Sequence, residues 1–246
     1  VRLAARRDFL YTLARMDLTL PKTEFRTEFN PARLAWDIRQ NRWDAFAKYW
    51  NDREYPLFPA DLFRRTEPIW LEVGAGSGWF FVELARHYPD RFLVALERSR
   101  LRGQRLVRKT SRSGLPNVAG FRGNAIPALI QAIPDASLER VYLLYPCPWP
   151  KTSHRRNRWY LHPVMPHLLR VLRPGGLLIW ASDQRFYIDE AHWVCENHFG
   201  MRTLAHGPIA PNPYNDLALL PGGRTKFEQT FLKNGLPCYE LVAAKA

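Results

Sequence analysis

The stretch LEVGAGSGWF, residues 71–80, decides the fold. Its first residues continue the apolar run that begins at Ile69 and Trp70, and the run stops on three glycines at alternate positions, Gly74, Gly76 and Gly78. Glycine enters left-handed backbone without steric cost, so the chain can turn tightly there and come close to a ligand. The next residues, WFFVELARHY, carry helical patterning. Strand, glycine turn and helix start together predict the first unit of an α/β sheet with a ligand at its strand ends. Dinucleotide-binding enzymes share such a turn, so the glycines alone do not select a cofactor.

Working outward, the same alternation repeats. RFLVALERS is a second predicted strand and RSRLRGQRLVRKTSR a helix; VAGFRGNA is a third strand and PALIQAI a short helix. LERVYLLYP is the fourth strand, YLHPVMPHLLRVL a helix, GGLLIWASD the fifth strand and FYIDEAHWVCENHF its helix, with LRPGG (172–176) as the helix stop between them. This order predicts a doubly wound, Rossmann-like, mostly parallel sheet. RTKFEQTFLKNG and PCYELVAA are expected as two antiparallel strands closing its edge. Residues 1–62 lack strand alternation and form a basic, aromatic-rich extension. ARLAWDIRQNRWDAFAKYW (32–50) within it reads as one or two helices, which either pack on the main domain (63–246) or touch a polyanion.

The chain has 246 residues, 46% of them hydrophobic, enough for one large domain with an extension. Its 36 Lys+Arg outnumber 23 Asp+Glu for a net charge of +13, which points to a polyanionic partner, nucleic acid above all. Cys147, Cys195 and Cys238 are far apart and show neither a disulfide framework nor metal spacing, so a reducing cytoplasm and no metal are expected. No run approaches the ~20 apolar residues of a membrane span, and no signal peptide is read. His87, His192 and His198 lie in helical patterns and read as packing or surface groups, while His154 lies in a loop.

That loop, YPCPWPKTSHRRNRW (145–159), follows the fourth strand. Its prolines exclude both a helix and a central strand. The cations of KTSHRRNR (151–158) can pair with phosphates, and the flanking Trp149 and Trp159 can stack on a base. A second basic stripe, Arg98, Arg102, Arg105, Lys109 and Arg112, recurs every three or four residues along one helix face, with Leu106 and Val107 expected on the other.

Two acids stand out near the glycine turn. Glu97 ends the second strand about 20 residues beyond it, where a carboxylate can accept both ribose hydroxyls of an adenosine. Glu72 lies inside the first strand, where an acid is costly without a partner. Asn124, at the end of the third strand, can engage an adenine amino group, and this favours a methyl donor over a dinucleotide. With the expected terminal strand pair, residues 66–246 resemble a class I S-adenosylmethionine-dependent methyltransferase.

Three further motifs narrow the resemblance. PCPWPK with its basic run is similar to the PDPWPKKRH signature of the tRNA (guanine-N7)-methyltransferase family, ASDQRFY (181–187) to its TD…Y, and RTKFE (224–228) to its TKFE. The resemblance implies an S-adenosylmethionine site lined by Glu72, Gly74, Gly76, Gly78, Glu97, Asn124 and Ala125. It implies tRNA contacts at Lys151, Asp183, Thr225, Lys226, Phe227 and Glu228, with the methyl accepted by N7 of a guanine in the variable loop. The family's aspartate in PDPWP falls on Cys147, so Cys147 and Asp183 are the candidate catalytic pair.

Guanine N7 carries a lone pair and no proton, so methyl transfer to it needs alignment and stabilisation of charge rather than a base. Asp183 and Glu228 are candidates to accept from guanine N1–H and the 2-amino group. Two alternatives stay open: a cytosine-C5 methyltransferase using Cys147 as a thiolate nucleophile, with Lys151 and Arg155 favouring ionisation, and a non-catalytic RNA-binding protein that keeps the fold.

Overall fold

The computed structural model describes residues 28–40 and 56–246. Seven strands form one sheet: β1 (Ile69–Val73), β2 (Phe92–Glu97), β3 (Val118–Arg122), β4 (Leu138–Leu144), β5 (Leu172–Ser182), β6 (Arg202–Pro208) and β7 (Tyr239–Ala244). Their order is β3-β2-β1-β4-β5-β7-β6. The first five are parallel, and β7 runs antiparallel between β5 and β6. The helices are α1 (Pro31–Arg39), α2 (Trp79–His87), α3 (Arg100–Arg112), α4 (Met165–Val171), α5 (Arg185–Asn197) and α6 (Lys226–Lys233).

Successive strand residues face opposite layers, as a period of two requires. Ile69, Leu71, Leu178 and Trp180 join α4 and α5 on one side, and Trp70, Ile179 and Ala181 join α2 and Leu106 of α3 on the other. Both faces are covered, which explains why the central strands read as near-continuous apolar runs. Of the extension, α1 is described. Asn30 caps it by accepting from the Arg33 N–H at 2.8 Å, and Leu34 and Ile38 enter the same core as α5. This supports the packing reading for that helix. The remainder of the predicted 32–50 helical region, from 41 on, lies outside the described residues.

Two expectations are corrected. RTKFEQTFLKNG is a helix, not an edge strand: the Thr225 hydroxyl accepts from the Glu228 N–H at 3.0 Å, a threonine N-cap with glutamate three residues on. The second antiparallel strand is β6, which pairs with β7 along its length. In α3, Leu106 is buried as expected but Val107 is exposed; Gly103, Leu106 and Thr110 form the inner face. Gly103 faces β3 closely enough that a Cβ there would lie 2.5 Å from Arg122.

Candidate functional site

Glu72, Glu97, Asn124 and Asp183 lie in or just past parallel strands, and the Cys147 loop leaves the end of β4. The strand order reverses direction between β1 and β4. In open α/β sheets such a switch point opens a crevice beyond the strand ends, where ligands bind.

Gly74, Gly76 and Gly78 hold φ of +83°, +59° and +76°, which explains the three glycines. At Gly78 a Cβ would also meet Leu106 Cδ1 at 2.4 Å. Glu97 is buried and binds the turn: the Gly76 N–H donates to one carboxylate oxygen at 2.9 Å and the Ser99 N–H to the other at 2.7 Å. A carboxylate has about four acceptor positions, so each oxygen can accept one bond more. Asn124 is buried and its side-chain oxygen accepts from the Ile126 N–H at 3.1 Å, which starts the turn at Ala125.

Glu72 is the unusual group. Its Oε2 is buried without a hydrogen-bond partner among the described residues. Burial, reinforced by the nearby Glu97 carboxylate, pushes its pKa up to about 8. The folded protein therefore holds a proton there that the unfolded chain releases near 4.5, and folding stability falls as pH rises between 4.5 and about 8. Thermal melts across that window should show a flatter fall for Glu72→Gln than for the wild type; equal slopes would rule out this assignment. An unsatisfied buried carboxyl beside a second acid and a glycine turn fits the adenosyl cofactor that the resemblance implies.

The loop after β4 turns on two left-handed residues, Tyr145 (φ 53°) and Trp149 (φ 46°), with Cys147 midway. Burial pushes the Cys147 thiol up, partly offset by the Trp149 N–H. The cations expected to favour a thiolate do other work: Arg155 is ion-paired with Asp37 of α1, and Lys151 is solvent-exposed. These conditions disfavour the nucleophilic thiolate that cytosine-C5 chemistry requires.

The basic run divides. Lys151, His154 and Arg156 are exposed, and His154 lies edge-to-face on Trp149 at 5.6 Å. Arg158 is fully buried, with its guanidinium on Glu190 and on the Trp149 carbonyl. It is withdrawn from the candidate phosphate contacts. Along α3, by contrast, Arg102, Arg105, Lys109 and Arg112 are all exposed, as are Arg100, Arg108 and Arg98, which precedes the helix.

RTKFE does mostly internal work. Glu228 is wholly buried: Arg224 donates to both its oxygens at 3.2 Å and again from Nη2 at 3.0 Å, and the Tyr145 hydroxyl donates to it at 2.7 Å. A base could reach that carboxylate only by displacing these donors. Glu228, expected to contact guanine, supports the loop through Tyr145 in this structure. Phe227 packs on Tyr145 at 4.8 Å, Thr225 caps α6, and Lys226 lies 5.2 Å over the Trp79 ring at the start of α2. Asp183 is half-buried just past β5, where the Gln184 side-chain amide donates to it at 2.6 Å. It is the carboxylate of the expected pair that remains at a surface.

Sequence reasoning missed Tyr145, Glu190, Arg224 and Glu240. Arg224 Nη1 donates to buried Glu240 at 2.6 Å, so one guanidinium joins α6 to β7. Among the described residues no cluster of His, Cys, Asp or Glu could hold a metal ion, and no helix is long and apolar enough to cross a membrane.

Comparison with known proteins agrees with the fold and with the methyltransferase resemblance. A family profile described as "Putative methyltransferase" matches residues 66–241. A tRNA (guanine-N(7)-)-methyltransferase of Paracoccus denitrificans is 31% identical over 185 residues, 75% of each chain. Those of Roseobacter denitrificans and Lacticaseibacillus casei are 33% and 30% identical, covering 75% and 74% of this chain and 76% and 82% of theirs. Among solved structures, the 16S rRNA methyltransferase KamB superposes with a TM-score of 0.54 at 17% identity, over 82% of this chain and 94% of that one, a likeness of fold. By its matched span and these relatives, the chain belongs to the tRNA (guanine-N(7)-)-methyltransferase family.

Proposed function

We propose that this protein transfers a methyl group from S-adenosylmethionine to N7 of a guanine in tRNA, with a variable-loop guanine as the target. The observation that carries the reading is the gathering of a glycine turn, Glu97, Asn124, the PCPWPK loop and Asp183 at one end of a parallel sheet in a chain of this family. S-adenosylmethionine, when bound, supplies a methyl group activated by its sulfonium. Glu97 and Asn124 hold the adenosine, with the buried Glu72 close to Glu97. Asp183 accepts from the guanine edge and offsets the positive charge that develops on the ring as N7 attacks. The exposed Lys151 and Arg156, with the α3 cations, hold tRNA phosphates. The free thiols of Cys147, Cys195 and Cys238 suit a cytoplasmic setting.

The direct test is incubation with bulk tRNA and methyl-labelled S-adenosylmethionine, followed by nucleoside analysis. Label in 7-methylguanosine is expected; label in 5-methylcytidine, or none, overturns the reading. Glu97→Ala should lower S-adenosylmethionine affinity tenfold or more by calorimetry. It removes bonds to a charged acceptor worth roughly 1.5–3 kcal/mol each and loosens the Gly76 turn. Unchanged affinity would refute the ribose assignment.

Cys147→Ser should keep most of the activity, because N7 attack asks no covalent step of the sulfur. Cys147→Asp, which restores the family's anion, should match or exceed the wild-type rate; a gain of ~1.4 kcal/mol would be tenfold. Abolished turnover in Cys147→Ser, with a covalent adduct to 5-fluorocytosine-substituted RNA, would replace this mechanism by the cytosine one.

A further inference from the structure

Left-handed backbone at a bulky residue costs about 1–3 kcal/mol and persists only where the surroundings enforce it. At Trp149 (φ 46°) the carbonyl is gripped by Arg158. Its Nε and Nη2 donate to the Trp149 carbonyl at 3.2 and 3.0 Å, and Nη2 also lies 3.5 Å from the Pro150 carbonyl. Nη1 donates to Glu190 Oε2 at 2.5 Å, and the guanidinium lies 5.0 Å over Phe186. Glu190, on α5, is buried and also accepts from the Tyr160 hydroxyl at 2.6 Å. The planar fork thus joins the strained carbonyl of the loop to the helix that follows Asp183.

A buried ion pair is a poor device for stability alone, since apolar residues of similar volume serve as well or better. Its particular contribution is geometric. Replacing the arginine by any apolar side chain leaves the Trp149 carbonyl without its two donors and the turn free to relax from φ 46°. The loop ordered in this way carries Cys147, where the family's aspartate falls, and Trp149, a ring that can stack on a base.

We propose that Arg158, anchored by Glu190, is a positioning residue for methyl transfer: it holds the Trp149 carbonyl and so fixes the PCPWP turn against the target nucleotide. Being fully buried, it touches neither phosphate nor cofactor. The inference rests on the guanine-N7 reading for its kinetic consequences, while the grip on the loop stands on the geometry alone.

The test separates the two. Arg158→Met leaves Glu190 buried without its cation, so its Tm should fall. Arg158→Met/Glu190→Leu removes the stranded charge and should regain most of that Tm, yet remain at least tenfold below wild type in kcat, with S-adenosylmethionine Kd within about twofold. Recovery of wild-type kcat together with Tm would make the pair merely structural and overturn the proposal. Arg158→Lys guards against a double variant that does not fold: it keeps a cation for Glu190 but lacks the fork to Trp149. It should hold Tm near wild type, lose tenfold or more in kcat, and exchange amide hydrogens faster across residues 145–157. Wild-type kcat or unchanged exchange in this variant overturns the proposal. Exchange is read without turnover, so a wild-type protein that made no 7-methylguanosine would defeat the functional reading and leave the loop clamp still testable.

Discussion

Asp183→Ala is expected to lower kcat on tRNA roughly 10²–10³-fold, the loss typical of removing one preorganised electrostatic group from a reacting centre. Positive charge moves onto the guanine as N7 takes the methyl, and Asp183 is the half-buried carboxylate just past β5, beside the strand that launches the Cys147 loop. The damage should fall on kcat more than on KM for tRNA, because phosphate contacts dominate RNA affinity. Asp183→Asn keeps an acceptor and a similar shape but loses the charge, so a rate close to that of the alanine variant would identify charge as the main contribution. Single-turnover rates with saturating S-adenosylmethionine measure this directly, and Tm measured on the same samples separates misfolding from lost chemistry. A loss below fivefold in Asp183→Ala would remove Asp183 from the reacting centre.

Arg224→Met is expected to be the most destabilising single change, by about 3–5 kcal/mol, because it leaves two buried carboxylates without their cation. For a chain of this size that is a fall in Tm of roughly 6–20 °C. Burial pulls the Arg224 guanidinium down in pKa, but Glu228 and Glu240 together hold it above its ordinary value, so it stays charged in the core. Glu240 also accepts from Asn212 and Asn215 at 3.0 and 2.8 Å, and Glu228 accepts from Tyr145. The arginine therefore ties together β7, the start of α6, the 212–216 segment and the base of the PCPWP loop. In the variant the stranded acids are accommodated by protonation, so the deficit in Tm should be larger at neutral than at acidic pH. A loss under 1 kcal/mol, or one independent of pH, would show that the network carries little energy.

These two residues mark the division between what could be read and what had to be seen. The β-α order, the parallel sheet, the glycine turn and the placing of Glu97, Asn124 and Asp183 near strand ends were legible because each rests on local signals: a period of two or near four, and glycines where φ is positive. The α6 helix carries a local signal too, the Thr225-x-x-Glu228 cap, although the stretch was expected as an edge strand. Val107, expected beside Leu106, is exposed because Gly103, Leu106 and Thr110 fill the inner face. The functions of the charged residues were not local. Arg155, Arg156 and Arg158 are indistinguishable in the string KTSHRRNR, yet Arg155 meets Asp37, 118 positions away, Arg158 meets Glu190, 32 positions away, and Arg156 remains exposed. Glu228, read as a ligand for the base, is instead enclosed by Arg224 and Tyr145. By itself, then, the sequence determined the parallel part of the sheet and the strand ends at which the candidate site residues lie. Only the tertiary structure decided which cations stay exposed and which brace the loop, because burial and ion pairing depend on partners that the fold, and not the chain order, brings within reach.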